Sequence, residues 1–193
     1  MSSRNPDHPV DNVFVERWSP RSFDGNAVPH ADLLTIFEAA RWAPSAYNIQ
    51  PWRFLYAHRD DEHWPLFLSL LIPWNQGWAH AASALVFILS DSLAPSKSGE
   101  PVASHSHSFD AGAAWASLAL QATKLGYVTH AMSGLQFDEA RTRLGIPDRF
   151  RIEAAAAIGR RRNPETLDES VREREKPSNR RPLADIVTAG PMT

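Results

Sequence analysis

The 193-residue chain contains no cysteine. Disulfides, thiolate zinc sites, iron–sulfur clusters and cysteine nucleophiles are excluded together, and nothing argues for an oxidising compartment. A dominant charge is missing too. Twenty Lys and Arg against 22 Asp and Glu leave a formal charge of −2, so no global field favours DNA, RNA or an anionic membrane. No apolar run approaches the roughly 20 residues that cross a bilayer. The opening segment, Met1 to Pro9, lacks the apolar stretch of a signal peptide. The expectation is a soluble, cytoplasmic protein with neither nucleic-acid nor membrane partners, folded as one domain over residues 1–193.

Several motifs are also absent. No G-x-G-x-x-G follows a strand and no G-x-x-x-x-G-K-[ST] occurs, so neither a dinucleotide fold nor a phosphate loop is supported. There is no G-x-S-x-G elbow and no H-E-x-x-H helix. His105 and His107, joined by His130 or Asp110, make the best metal candidate; without a second anchor they read as solvated surface residues. Acidic runs such as Asp60-Asp61-Glu62 and Asp168-Glu169 read as solvated faces and not as an acid/base pair. No metal is expected.

What the chain does have is tryptophan, seven in all. Core and interface packing is the usual role of indole, and stacking on a flat ligand is the sharper alternative. Residues 1–8 read as frayed. Helices are expected over about Val10–Arg17, Pro29–Ala43, Asp61–Leu71 (ended by Pro73), Asn75–Ala82, Asp110–Leu125 and Phe137–Leu144. Strands are expected at Trp52–Ala57, Ala84–Ser90, Tyr127–Ala131 and Ile152–Ile158. The second is a nearly continuous apolar run, as a strand covered on both faces requires. Ala111, Gly112, Ala113, Ala114, Ala116 and Ala119 give one helix a small-residue surface that another backbone can approach closely. Residues 91–108, rich in Ser, Pro, His and Gly, read as a loop of lid-like length. From Gly159 to Pro182 eight basic residues face five acidic ones with little apolar periodicity, an exposed arm suited to lie over a partner. The fold class is α+β: four or five short strands in one domain, with helices on both sides.

Three features could carry chemistry. Arg17-Trp18-Ser19-Pro20-Arg21-Ser22-Phe23 sets two arginines around a hydroxyl, and planar guanidinium groups bind phosphate oxygens in pairs. Ala43-Pro44-Ser45-Ala46-Tyr47-Asn48-Ile49-Gln50-Pro51-Trp52 presents Ser, Asn and Gln between a helix and a strand, and such amides suit the polar edge of a heterocycle. Arg180-Arg181-Pro182-Leu183 ends the arm with another anion-ready pair. Taken one at a time, each reads more readily as a turn with surface arginines.

Taken in order, R-x-S-x-R-x-F, A-P-S-x-x-N-x-Q-P-W and R-x-P-L resemble the nitroreductase family of FMN enzymes, from about Arg17 to Val187. The resemblance implies an α+β fold with a mostly antiparallel central sheet. It also implies a homodimer binding FMN at the subunit interface, with C-terminal segments crossing to the partner. Arg17, Trp18, Ser19 and Arg21 match the first flavin-contacting motif, the two arginines sharing the phosphate and the pyrimidine edge in an undecided order. Pro44, Ser45, Ala46, Asn48 and Gln50 match the segment that reaches FMN from the other subunit. Asn75 matches an asparagine that holds the flavin ring. Ser133 and Gly134 match the turn whose amides approach flavin N5, and Arg180, with Arg181 beside it, matches a basic residue on the phosphate. Trp18 departs from the polar or basic residue common at its place.

The implied activity moves electrons from NAD(P)H through FMN to a nitroaromatic, quinone or similar small acceptor, with Arg21 as electrostatic stabiliser of the reduced flavin. The alternatives are another FMN reaction (flavin reduction, dehalogenation, ring cleavage), a flavin carrier with negligible turnover, and an α+β interaction domain without cofactor.

Overall fold

The computed structural model describes residues 4–167 and 169–192, so the first three residues of the expected frayed segment, and Asp168, lie outside the described residues. One four-stranded antiparallel sheet organises the chain. Its strands are β1 (Trp52–His58), β2 (Ala84–Asp91), β5 (Val128–Met132) and β6 (Phe150–Gly159), in the order β1-β2-β6-β5. Two shorter strands, β3 (Leu93–Ala94) and β4 (Val102–Ala103), pair as a separate hairpin.

Alternation along β2 builds two cores. Every residue of β2 is buried, and successive side chains point to opposite faces. Leu85, Phe87 and Leu89 join Ala155 and Ala157 of β6 on one face. There they meet α3 (Trp64–Ser69), α4 (Pro73–Ala79) and α6 (Phe137–Arg143) through Phe67, Ala79 and Ala140. Ala84, Val86 and Ile88 join Ala156 and Ile158 on the other face. Helices α2 (His30–Arg41) and α5 (His107–Lys124) cover it with Leu33, Ile36, Ala114 and Leu118. This is the expected α+β layering, with four strands in the main sheet.

The register of β2 against β6 shifts between Ile88 and Leu89. Glu153 is the extra residue on β6, and its Oε1 accepts from Ser90 Oγ at 2.5 Å and Ser108 Oγ at 2.7 Å. Ser90 Oγ also lies 2.7 Å from His107 Nδ1. These bonds hold the first turn of α5 onto the sheet, which explains why that helix begins at His107 and not at the expected Asp110. Gly126, at φ +80°, stops it as expected.

Other boundaries differ from expectation. The helix expected over Asp61–Leu71 is confined to Trp64–Ser69. Pro73 does not end it but opens α4, where a missing N–H costs nothing. The 91–108 segment is not a plain loop: it folds into the β3–β4 hairpin, and its last two residues belong to α5. Helix α1 (Asn12–Glu16) starts at an Asp11 cap. The frayed reading of residues 1–8 fails at Arg4, which donates to the carbonyls of Val15 at 3.1 Å, Arg17 at 2.8 Å and Ser178 at 2.9 Å. The arm carries the short helix α7 (Glu169–Arg174) and a 3₁₀ turn at Leu183–Asp185. Much of it is exposed, but Leu167 and Glu175 are buried.

Candidate functional site

Antiparallel pairing ends β6 beside Phe23: residues Phe23 and Arg161 form an isolated bridge, and the amide of Arg162 donates to Ser22 O at 3.0 Å. The Arg17–Phe23 segment is thereby laid along the edge of the sheet near β5. The arm returns over it. Between them lies a cleft of about 300 Å³ lined by Arg17, Trp18, Ser19, Arg21, His130 and Arg180, together with Arg4, Arg174, Glu175, Lys176 and Ser178. Chain segments more than 150 residues apart in sequence, the first and third motifs, thus meet in one place.

The electrostatics of the cleft are those of an anion site. Arg17 is half-buried, and burial followed by the neighbouring Arg180 charge lowers its pKa. Burial, then Arg180 and Arg17, lowers that of Arg4. Guanidinium groups packed this way repel one another, and an anion among them removes the repulsion. Arg17 Nη1 lies 3.4 Å from Ser19 Oγ, so a hydroxyl stands beside the cation. Trp18 packs against the chain itself, its ring stacking under the Arg161 guanidinium at 4.8 Å.

His130 links this cleft to the Ser133–Gly134 turn and Asn75. Its Nδ1 donates to Pro20 O at 3.0 Å, and its ring packs 4.7 Å from that of Trp78 on α4. Burial is the largest cause that lowers its pKa below the ordinary 6.5; the bond to Pro20 opposes the shift and Arg21 adds to it. The imidazole is therefore neutral at pH 7, protonated on Nδ1. Three residues after His130 comes the Ser133–Gly134 turn. Buried Asn75 donates from Nδ2 to Gly134 O at 2.9 Å, and Ile72 N donates to the same oxygen at 3.1 Å. A Cβ on Gly134 would come 2.6 Å from Asn75 Nδ2 and 2.7 Å from Ile72 Cδ1, so any larger residue must displace the Asn75 amide or the Ile72 side chain. The bond to Gly134 uses the amide nitrogen of Asn75 and leaves Oδ1 to serve as an acceptor, and Ser133 is exposed beside it.

The second motif stands elsewhere. Pro44, Ser45, Ala46, Asn48 and Gln50 lie outside the cleft, in a turn anchored to α5 through Asp110 Oδ2, which accepts from Ala46 N at 3.2 Å and from Ser106 Oγ at 3.0 Å. Ser45 Oγ accepts from Gln50 N at 3.0 Å. Tyr47, Asn48 and Gln50 all have positive φ, at 50°, 55° and 53°. Such left-handed non-glycine residues cost about 1–3 kcal/mol each and cluster at functional sites. Tyr47 is 99% exposed. Arg181 also lies outside the cleft, in a groove of about 580 Å³ between the N-terminal segment and Asn179–Ile186.

Asp110 and His107 are committed to the α5 turn and His105 is exposed, so the histidines considered for a metal do not converge with His130, which lies in the cleft. Sequence reasoning missed Glu175, Arg174, Lys176 and Arg4 as cleft residues, and placed His130 only as a metal candidate. Nothing in their local sequence distinguishes them from a solvated charge run.

Comparisons with known proteins identify the family. The model of the nitroreductase family matches residues 15–160. A crystal structure of an oxidoreductase containing FMN is 51% identical, covers 100% of this chain and 98% of its own, and superposes with a TM-score of 0.95. A Desulfovibrio desulfuricans protein solved in complex with FMN is 25% identical over 97% of this chain and 100% of its own, with a TM-score of 0.73. The NADH dehydrogenase of Thermus thermophilus is 31% identical over 97% of this chain and 98% of its own. On the strength of the family match and these full-length likenesses, the chain belongs to the nitroreductase family of oxidoreductases.

Proposed function

We propose that the protein is a homodimeric, FMN-dependent oxidoreductase that takes electrons from NAD(P)H and delivers them to a nitroaromatic, quinone or similar small acceptor. The observation that carries this reading is the cationic cleft. Two motifs from opposite ends of the chain converge there; Asn75, Ser133 and Gly134 do not line it, but His130, which does, lies three residues before the Ser133–Gly134 turn. The residues fit the cofactor: guanidinium groups and a serine for the phosphate, and an amide and a tight glycine turn for the ring.

Bound FMN supplies the hydride-accepting and electron-donating chemistry, which needs no protein acid or base. The protein's part is binding and electrostatics. Arg17 and Arg180, each other's electrostatic neighbours, hold the phosphate, with Ser19 adding a hydroxyl. Arg21, whose charge acts on His130 in the middle of β5, the strand that leads into the turn, stands at the ring end. A positive charge there stabilises negative charge that develops on reduction. This division assigns the two arginines of the first motif to different ends of the cofactor. Asn75 orients the ring through the acceptor oxygen left by its bond to Gly134. Neutral His130 adds no charge near the ring.

The Pro44–Gln50 turn does not reach its own cleft, and it is held in a strained, exposed shape. It therefore serves the cofactor of the second subunit, which makes a dimer the functional unit. Exposed Phe109 (82%) and the open surface at Gly112 and Ala116 of α5 lie on the same helix as its anchor, Asp110, and form part of the subunit contact.

The test is anaerobic. Protein loaded with FMN should lose its flavin absorption when NADH or NADPH is added, and regain it on addition of a quinone or nitroaromatic. Flavin that stays oxidised through an excess of both nucleotides would contradict the reading.

A further inference from the structure

Glu175 is the one acidic side chain lining the cleft among the described residues, against Arg4, Arg17, Arg21, Arg174, Lys176 and Arg180. On charge alone it is misplaced, because it weakens the attraction for an anion. Its geometry explains it. The residue is only 7% exposed, follows directly on α7, and donates its own amide to Val171 O at 3.1 Å. Its Oε1 accepts from the backbone N–H of Arg21 at 2.8 Å, and Oε2 faces the N–H of Ser22 at 3.4 Å. A carboxylate can span two successive amides, and hydrogen bonds to a charged acceptor are about twice as strong as neutral ones.

We infer that Glu175 is a positioning residue that fastens the arm to the Arg17–Phe23 segment, so that arm docking and FMN binding are one coupled event. The inference rests on the cofactor reading above. Arg174 and Lys176 flank Glu175 directly, and Arg180 follows within the same stretch. Fixing residue 175 thus carries all three cations to the cleft. The same bond fixes the backbone from which Arg21 projects. Arg4 makes a second tie, to Ser178 O at 2.9 Å, downstream of the first.

The experiment compares wild type, Glu175→Ala and Glu175→Gln by FMN titration, read from flavin fluorescence, and by trypsin cleavage of the arm with and without FMN. Both substitutions raise the cleft's positive charge by one. A purely electrostatic residue would therefore give tighter FMN binding in both. A positioning residue gives the opposite: Glu175→Ala binds FMN about tenfold weaker or more. Glu175→Gln, which keeps one oxygen for the Arg21 amide, recovers most of that loss. FMN should slow cleavage at Arg172 and Arg180 in wild type and much less in Glu175→Ala. Equal or tighter FMN binding in both variants, or no FMN protection of the wild-type arm, overturns the inference. Wild-type protein that binds no FMN at all overturns the cofactor reading first, and this inference with it.

Discussion

Replacing Arg180 by alanine separates two effects that most substitutions confuse. In the free protein Arg180 repels Arg17 and Arg4, lowering the pKa of both behind the larger effect of their burial. Its hydrogen bonds to Ser178 and Asn179 are local and long, 3.2 to 3.4 Å. Removing it should leave the stability of the FMN-free protein unchanged or slightly raised. In the proposed FMN complex the side chain would donate to the phosphate. Hydrogen bonds to charged groups contribute about 1.5–3 kcal/mol, and an exposed arginine belongs at the low end. About 1.4 kcal/mol is tenfold in affinity, so Arg180→Ala should bind FMN about tenfold weaker. Riboflavin, which lacks the phosphate, should bind both proteins alike. The assay is fluorescence titration with each flavin at two salt concentrations. Wild-type FMN affinity should fall more steeply with salt than that of the variant, since surface charge is screened. Equal losses of FMN and riboflavin affinity, or an unchanged FMN affinity, would refute the phosphate assignment.

Three further outcomes follow from the same geometry. Burial lowers the pKa of His130, so the folded state binds its proton less readily than the unfolded chain. Stability from the neutral ring is full above about pH 6.5 and is lost as pH falls from there toward the depressed folded value. Thermal melts of His130→Gln should show a flatter pH dependence below 6.5 than wild type, and parallel curves would count against it. Gly134→Ala forces a methyl against Asn75 and Ile72. Overpacking of this kind costs about 1–3 kcal/mol, so the melting temperature and FMN affinity should both fall. A Cβ at Gly112 meets nothing within 4 Å in the chain itself. Gly112→Glu should therefore fold, yet sediment as a monomer and lose FMN; a stable, FMN-binding dimer would exclude that surface from the subunit contact.

Much of the fold was legible because local pattern and burial agree. The apolar run at Ala84–Ser90 is buried on both faces and became the strand between the two cores. What the sequence hid was set by long-range contacts. His107 and Ser108 carry no helix signal, and they are helical because Ser90 and the bulged Glu153 hold them. The β3–β4 hairpin has two residues per strand, too few for any periodicity. Pro73 was ambiguous because proline both follows one helix and starts the next.

The site shows the same division. Arg17, Ser19, Arg21 and Arg180 were legible as an ordered motif set, and the fold brings them to one cleft. Glu175 and His130 were not, since a charge run and a lone histidine reveal nothing until a tertiary partner is known. The Pro44–Gln50 turn was legible as a motif, yet its distance from the cleft could not be read without the fold.

The central claim is that one chain supplies the cationic cleft and a second supplies the Pro44–Gln50 turn. A crystal structure of the FMN-loaded protein tests it most directly. The account predicts the phosphate within hydrogen-bond reach of Arg17 and Arg180, the ring at the Ser133–Gly134 turn, and Pro44–Gln50 of another subunit against the same cofactor. Phosphate bound away from those arginines, or a cofactor enclosed by one chain alone, would contradict it.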